Sequence, residues 1–302
     1  MPYKIELIEN TPVCVVSEGP HWDVERQSLY FIDMYGAEQS LHRYDFNEDK
    51  TYSAIVQGYP MNTFIIPVEG KKDQFVASSG KKVILVEWEG KCDGAKTLKV
   101  LAEVEQQMSE NRFNDAKCDP TGRFYAGTMR TEIGVDIFEK RLGSFYFYDG
   151  EQMVSIKSQI GISNGLTWNE KTKKFYYVDS CDVNIKEYDY NLETGVLTNE
   201  RIVIDFAKPG IKPSGDYIPD GLTIDENGTL YVAIHGQGKI FKVNPVTATI
   251  ELEIEIPVKE ITSIAFGGPN LDILFATAKK SKLFKITGLG VKGLPMKNFK
   301  IV

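Results

Sequence analysis

The sequence predicts an all-β fold, specifically a single six-bladed β-propeller spanning residues 1–302. Two observations predict it. Short alternating runs rich in Tyr, Phe, Ile and Val dominate the chain and are bounded by Gly, Asp, Asn and Pro, whereas apolar residues at helical spacing are scarce. In addition, one pattern recurs six times: an apolar strand, a polar Asp/Gly turn and an aromatic-rich strand.

The recurring pattern has the period of propeller blades. The aromatic residues of its second strand are Tyr30, Phe75, Tyr125, Tyr176, Tyr231 and Phe275. They follow one another at intervals of roughly 45 to 55 residues, which is typical of blade-sized repeats. A third alternating strand follows each pattern, for example SLHRYDF after the first and SKLFKITG after the last. Two packed β-sandwiches are the alternative, but they would not explain six copies of one pattern.

Composition indicates an ordinary globular chain of 302 residues, 42% hydrophobic and 25% charged, without a Pro/Gly/Ser-rich linker. The first residues lack a basic segment followed by an apolar one, so we expect no signal peptide. The longest apolar runs are strand-sized, whereas a membrane span needs roughly 20 apolar residues. We therefore expect a cytoplasmic protein that does not act at membranes.

Cysteine content and charge narrow the classes of partner. The four cysteines are far apart and show no zinc-ligand spacing, which favours reduced, mostly buried thiols. The net charge is −7 and no basic stripe is present, so we expect no nucleic-acid partner. The acidic excess suits cation binding. We expect a monomer or weak dimer that acts on a small molecule.

The start of each innermost strand is the most informative feature for function. In a propeller these strands line the central channel, so equivalent residues form a ring. The ring positions, obtained by aligning the repeats, are Glu18, Asn62 or Thr63, Asn114, Asn164, Asp220 and Thr262. All of them are polar.

Two carboxylates in this ring predict a bound cation. Glu18 and Asp220 in one narrow channel would repel each other and lose hydration unless a positive charge compensated them. Oxygen ligands without Cys or His favour Ca²⁺, Mg²⁺ or Mn²⁺. The alternative is that the ring residues merely cap strands and satisfy backbone amides.

Five motifs in order resemble those of a known family. They are SEGPHWD at Ser17, NRFNDAKCDPTGRFYAGTM at Asn111, ISNGLTW at Ile162, YIPDGLTID at Tyr217 and FKITGLGVKG at Phe284. Together the motifs resemble the senescence-marker protein, regucalcin and gluconolactonase family, which includes the insect luciferin-regenerating enzymes. The resemblance implies a six-bladed propeller and lactone hydrolysis with a divalent cation, notably of aldonolactones.

The resemblance also implies roles for particular residues. The family's metal ligands fall on Glu18, Asn164 and Asp220, and its substrate contacts fall on Arg112, Asn114 and Glu132. We expect one divalent cation, Ca²⁺ first, with Zn²⁺, Mn²⁺ and Mg²⁺ as alternatives.

Two segments depart from the family pattern. The stretch Ala276–Ser281 joins the last two strands directly, where relatives have a longer loop over the mouth of the channel. The segment AIHGQG places His235 at a strand end, where it is either a solvated loop residue or a proton shuttle.

Lactone hydrolysis needs a polarised carbonyl and an activated water. We expect Asp220 to ligate the metal and to act as general base or to orient the water. Arg112 and Asn114 would bind substrate hydroxyls. Three alternatives stay open: a cyclic nitrile or thiazoline substrate, as in luciferin regeneration; a calcium-binding regulator without turnover; and a protein-interaction propeller.

Overall fold

A computed structural model describes residues 3–36, 41–131, 134, 136–207 and 214–301. These residues form 24 β-strands and a single turn of 3-10 helix, Ser180–Asp182. The all-β prediction is confirmed. Within the described ranges, no helix has the length and apolar character needed to cross a membrane.

The strands follow one another along the chain with short connections. The first eight are β1 (Lys4–Leu7), β2 (Cys14–Asp23), β3 (Ser28–Asp33), β4 (Leu41–Asp45), β5 (Lys50–Val56), β6 (Ile65–Pro67), β7 (Gln74–Ser79) and β8 (Lys82–Glu87). The next eight are β9 (Gly94–Glu103), β10 (Asn111–Cys118), β11 (Phe124–Arg130), β12 (Gly143–Tyr148), β13 (Met153–Ile160), β14 (Ser163–Asn169), β15 (Lys174–Asp179) and β16 (Asn184–Tyr190). The last eight are β17 (Leu197–Asp205), β18 (Ile218–Ile224), β19 (Leu230–His235), β20 (Lys239–Asn244), β21 (Thr249–Glu255), β22 (Ile261–Gly267), β23 (Ile273–Ser281) and β24 (Phe284–Thr287).

Antiparallel pairing between consecutive strands dominates the fold. Strands β10–β13, β14–β17 and β18–β21 form three separate four-stranded sheets. The other twelve strands form one sheet, in which β2–β5 and β6–β9 are further antiparallel sets and β22–β23–β24 is completed by β1. Because β1 pairs with β24, the two ends of the chain meet in one sheet.

The first strand of each set packs against the first strand of its neighbour. Contacts join β6 to β2, β2 to β22, β22 to β18, β18 to β14 and β14 to β10. Apolar side chains fill the space between the sheets, including all six repeat aromatics, none of which is more than 3% exposed. Tyr30 meets Phe75 of the next set with ring centroids 4.9 Å apart. These contacts bury the facing sides of neighbouring sets, whereas the last strands β9, β13, β17 and β21 stay largely exposed. The polar starts of the first strands lie near one another.

The sequence indicated that the stretch Ala276–Ser281 connects the last two strands. The structure shows that it does not. It lies within β23, and its end pairs with β2 through Cys14 opposite Ser281 and Val16 opposite Lys279. The connection to β24 is only residues 282–283. The prediction was wrong because a second partner strand, β2, extends the ladder beyond the hairpin.

Residues after β24 tie the sheets together at the ends of the inner strands. The Phe299 amide donates to the Pro67 carbonyl at 2.8 Å, and the Lys300 amide donates to the Gly122 carbonyl at 2.9 Å. The side chain of Asn298 meets His21 Nε2 at 3.2 Å. The C-terminal segment therefore links strand sets that share few main-chain hydrogen bonds with each other.

Two buried histidines predict a loss of stability in mild acid. Burial lowers the pKa of His21 and of His42 from about 6.5 to about 4. Below about pH 6.5 the unfolded chain takes up protons that the folded chain refuses until about pH 4. We expect the free energy of unfolding to fall across this window, by up to about 3 kcal/mol for each histidine, in urea titrations at stepped pH.

The substitution His42→Gln tests this assignment because it removes one titrating group and keeps a hydrogen-bonding side chain for Ser53, whose Oγ lies 2.7 Å from His42 Nδ1. The loss of stability between about pH 6.5 and pH 4 should become smaller in this variant, while the other groups with shifted pKa, including His21 and His235, still titrate. A variant whose pH dependence overlays that of the parent protein would contradict the assignment.

Candidate metal centre

The inner strands lose their regular register where the ring residues stand. The irregular steps lie between Glu18 and His21, Phe113 and Ala116, Asn164 and Leu166, Pro219 and Leu222, and Ile261 and Ile264. A bulge of this kind bends the strand and redirects a side chain. Five strands thus have an irregular step at the ring position that the repeat alignment identified.

A glycine follows each of the three candidate metal ligands. Gly19 has a φ of +56°, which disfavours other residues. A Cβ on Gly165 would lie 2.4 Å from Leu222 Cβ and 2.7 Å from the Asp220 carbonyl. A Cβ on Gly221 would lie 2.0 Å from Ser263 Oγ. These glycines let neighbouring inner strands approach closely, which is what gathers the preceding side chains into one place.

Glu18 and Asp220 share a buried, electrostatically unfavourable environment. Burial raises the pKa of both carboxyls, and the negative charge of Asp115 raises both further. The charge of Glu18 also raises the pKa of Asp220. The cationic side chains of Arg112 and Lys279 oppose these shifts but do not outweigh them. The protein alone therefore disfavours two ionised carboxylates here.

The Asp220 carboxylate is incompletely satisfied. Its side chain is 7% exposed, and Oδ1 has no hydrogen-bond partner among the described residues. Glu18, by contrast, accepts from the Gly19 amide at 2.9 Å. A buried acceptor without a donor is costly and points to a missing partner.

A chain of hydrogen bonds orients the carboxamides of the ring. Arg112 Nη1 donates to Asn114 Oδ1 at 2.6 Å, and Asn114 Nδ2 donates to Asn164 Oδ1 at 2.8 Å. Asn164 Nδ2 donates to Ser180 Oγ at 2.8 Å, and Ser180 Oγ donates to the Pro219 carbonyl at 2.7 Å. The chain runs from β10 through β14 to the residue before Asp220. It fixes the oxygen of Asn164 rather than its nitrogen toward Asn114.

The ring positions at Thr63 and Thr262 have a structural role. Thr262 Oγ1 donates to the Ser17 carbonyl at 2.6 Å and lies 2.8 Å from Thr277 Oγ1. Thr63 Oγ1 lies 2.9 Å from Ser78 Oγ. Both threonines are 2% exposed or less. Their hydroxyls lock strand pairs together, so the capping interpretation holds for this part of the ring.

The donor set suits a hard divalent cation. Within the described ranges, no three His, Cys, Asp or Glu side chains come together, so carboxylates alone do not build a site. Two carboxylates plus the Asn164 carboxamide give three oxygen donors, with the unpartnered Asp220 Oδ1 among them. Oxygen donors of this kind are typical ligands of Ca²⁺. The residues therefore fit the cation that the sequence predicts.

The structure places the predicted substrate contacts next to these donors. Arg112 is 6% exposed and hydrogen-bonded to Asn114, whose two amide hydrogens donate to Asn164 Oδ1 and to the Ser163 carbonyl. Asn114 therefore has only an oxygen lone pair left for a ligand. Glu132, the third predicted contact, lies outside the described residues.

Sequence reasoning missed a charged group at the edge of the site. Lys279 Nζ lies 3.1 Å from Glu260 Oε1, and its charge acts on both ring carboxylates. His235 Nε2 lies 3.8 Å from the same Glu260 oxygen, and Nδ1 lies 2.8 Å from the Gly215 carbonyl. His235 is 9% exposed, so the solvated-loop interpretation was wrong. Lys279 was visible in the sequence, but the segment that contains it was interpreted as a connection between two strands.

The chain matches one protein-family model over residues 16–280. The family is described as the SMP-30/Gluconolactonase/LRE-like region. The chain belongs to this family. The family resemblance of the sequence motifs is thereby confirmed.

Several relatives of the family cover the whole chain. Regucalcin of Bos taurus is 33% identical over 309 residues, covering 97% of this chain and 97% of the relative. A solved luciferin-regenerating enzyme superposes with a TM-score of 0.91 at 34% identity, covering 99% of this chain and 100% of that one. A calcium-binding protein, regucalcin, from Agrobacterium tumefaciens has a TM-score of 0.83 at 21% identity, covering 99% and 98%. The last likeness concerns the fold alone.

Removing the Ser180 hydroxyl should weaken cation binding without unfolding the protein. In Ser180→Ala the Asn164 amide loses its acceptor and the carboxamide is free to rotate. Loss of such an outer partner typically costs about 10-fold or more in metal affinity. We expect a decrease of that size in the Ca²⁺ affinity of the variant, measured by isothermal titration calorimetry.

Ser78→Ala is the matched control, because the Ser78 hydroxyl accepts from the Thr63 amide at 2.7 Å in the structural part of the ring. This variant should lose about 1–3 kcal/mol of stability and keep its Ca²⁺ affinity. Equal losses of affinity in the two serine variants would show that Ser180 acts only through general stability.

Proposed function

We propose that the chain is a single-domain, six-bladed propeller whose inner strands surround one divalent cation. Six antiparallel strand sets, the contacts between their first strands and the pairing of β1 with β24 support this arrangement. In it the ring residues face a common axis. Glu18, Asn164 and Asp220 would hold the cation, and we propose Ca²⁺ because all three donors are oxygens.

The function we propose is hydrolysis of small lactones, such as aldonolactones. The unpartnered Oδ1 of buried Asp220, close to the charges of Glu18 and Arg112, is the observation that carries this proposal. A bound divalent cation supplies Lewis-acid polarisation of a carbonyl group. The family description, which includes gluconolactonase, supports the same reaction class.

The residues of the chain would divide the remaining work. The Asp220 carboxylate would accept a proton from the attacking water or hold that water in line with the substrate carbonyl. Arg112 Nη2, which among the described residues hydrogen-bonds only to Tyr35 OH at 3.3 Å, would donate to a substrate oxygen. Asn114 would keep Arg112 and Asn164 in place through its two-sided hydrogen bonding.

Calcium binding without turnover is the second candidate function. Relatives named regucalcin match the chain at 32–33% identity. Cation binding alone requires the three donors, whereas hydrolysis also requires Arg112. The similarity to a luciferin-regenerating enzyme leaves a thiazoline or cyclic nitrile as a further substrate class for the same residues.

The hydrolase proposal predicts different effects for two substitutions. After chelation, glucono-δ-lactone hydrolysis should return when Ca²⁺ is added, with Mg²⁺, Mn²⁺ and Zn²⁺ tested in parallel. Asp220→Ala should lose at least about 100-fold in kcat/KM, because it removes both a ligand and the proton acceptor. Arg112→Ala should lose about 10-fold or more in kcat/KM yet keep Ca²⁺ binding in calorimetry.

Asp272→Ala is the control, since Asp272 lies on an exposed turn before β23. It should match the parent protein in turnover and in Ca²⁺ affinity. Tight Ca²⁺ binding with no hydrolysis would favour the calcium-binding function or a different substrate. Absence of any cation binding would refute both functions.

A further inference from the structure

Tyr35 is an unusual aromatic residue in this fold. It follows β3 and is 45% exposed, and among the described residues it is the only aromatic side chain that is exposed rather than buried or partly buried. Most other aromatic rings of the described chain are buried. A single exposed ring is common on protein surfaces, so the significance of Tyr35 depends on what its side chain contacts.

The backbone beneath Tyr35 is held firmly on both sides. The Met34 amide donates to the Val16 carbonyl at 2.9 Å, and the Met34 side chain is buried. On the other side, a Cβ on Gly36 would lie 2.5 Å from Asp33 Oδ2, so only glycine lets the chain fold back so tightly. The Asp33 carboxylate in turn accepts from the Val16 amide at 3.0 Å. The ring is therefore exposed on a fixed base, three residues beyond Ile32, which is the ladder partner of Glu18.

The hydroxyl of Tyr35 reaches a residue of the site from another strand set. Arg112 Nη2 lies 3.3 Å from Tyr35 OH, and the two residues are separated by 77 positions in the chain. Nη1 of the same arginine is occupied by the Phe113 carbonyl and by Asn114, and Nε has no partner among the described residues. The set β6–β9 lies between β3 and β10 in the chain. The contact therefore joins residues of two sets that are not consecutive along the chain.

We propose that Tyr35 is a specificity-determining residue that packs its ring against an apolar face of the substrate. This inference rests on the proposed lactone hydrolysis and names its substrate class: lactones with an oxygen-rich edge for Arg112 and an apolar or aromatic substituent for Tyr35. Arg112 and Asn114 offer the bound molecule only polar groups. Tyr35 adds a broad apolar surface. A contact between two aromatic rings stabilises binding by more than the buried area alone would give.

A matched pair of substrates tests the inference: δ-valerolactone and its phenyl-substituted derivative, assayed with the Ca²⁺-loaded protein. Tyr35→Ala should raise KM for the phenyl-substituted lactone about 10-fold, the equivalent of losing one good aromatic contact. KM for δ-valerolactone should change less than about 2-fold, and kcat should hold for both. Tyr35→Phe keeps the ring and should retain the preference for the phenyl group.

Tyr52→Ala is the control, since Tyr52 lies on β5, the last strand of its set, and its ring contacts Lys50 and Lys91. Its preference between the two lactones should equal that of the parent protein. An equal rise in KM for both lactones in Tyr35→Ala, or no rise in either, would overturn the inference, because a merely structural tyrosine would not distinguish them.

A second measurement separates failure of this inference from failure of the proposed hydrolysis. If the parent protein hydrolyses neither of these lactones, turnover of glucono-δ-lactone shows whether the proposed reaction itself fails. Saturation-transfer NMR then reports binding of the phenyl-substituted lactone directly. Binding that Tyr35→Ala abolishes and Tyr52→Ala keeps would support the role of Tyr35 as a contact. Equal signals in both variants, or no signal with the parent protein, would overturn it.

Discussion

Glu18 and Asp220 bring two carboxyl groups into one buried region, and much of the surrounding structure serves to hold them there. Charge repulsion and lost hydration raise the pKa of both groups, and Asp115 adds to the effect. Arg112 and Lys279 offset only part of it. A protein optimised for stability alone would avoid such an arrangement. Its presence at equivalent positions of two repeats supports the proposal that the carboxylates share a cation.

The main chain supplies the precision that this arrangement needs. Strand bulges turn the ring residues out of the regular alternation, and the glycines that follow three of them allow inner strands to approach closely. The hydrogen-bond chain from Arg112 to Ser180 then fixes the carboxamides. The hydroxyls of Thr63 and Thr262 instead form hydrogen bonds that hold strand pairs together. Ligand geometry and fold stability are thus assigned to different parts of one ring.

Periodic features of the molecule could be predicted from the sequence. The six repeat aromatics are all buried, and the alignment found Glu18 and Asp220, because a repeat places equivalent residues in equivalent environments. Contacts between repeats could not be found in this way. Ser180 meets the strand of Asp220 39 residues away, and Tyr35 meets Arg112 77 residues away. The segment Ala276–Ser281 was misread for the same reason, since its second partner is β2, near the other end of the chain.

Residues that the repeat predicts and residues that it does not predict have different roles in the proposed function. Asn114 and Asn164 use most of their polar atoms on protein partners, so little of the ring is left to distinguish one substrate from another. Discrimination must then come from groups around the ring that keep unused surface or charge. Tyr35 is such a group, and it lies in a segment that the repeat pattern does not define. Under the proposed function, a change of substrate preference at Tyr35 would leave the buried carboxylates undisturbed.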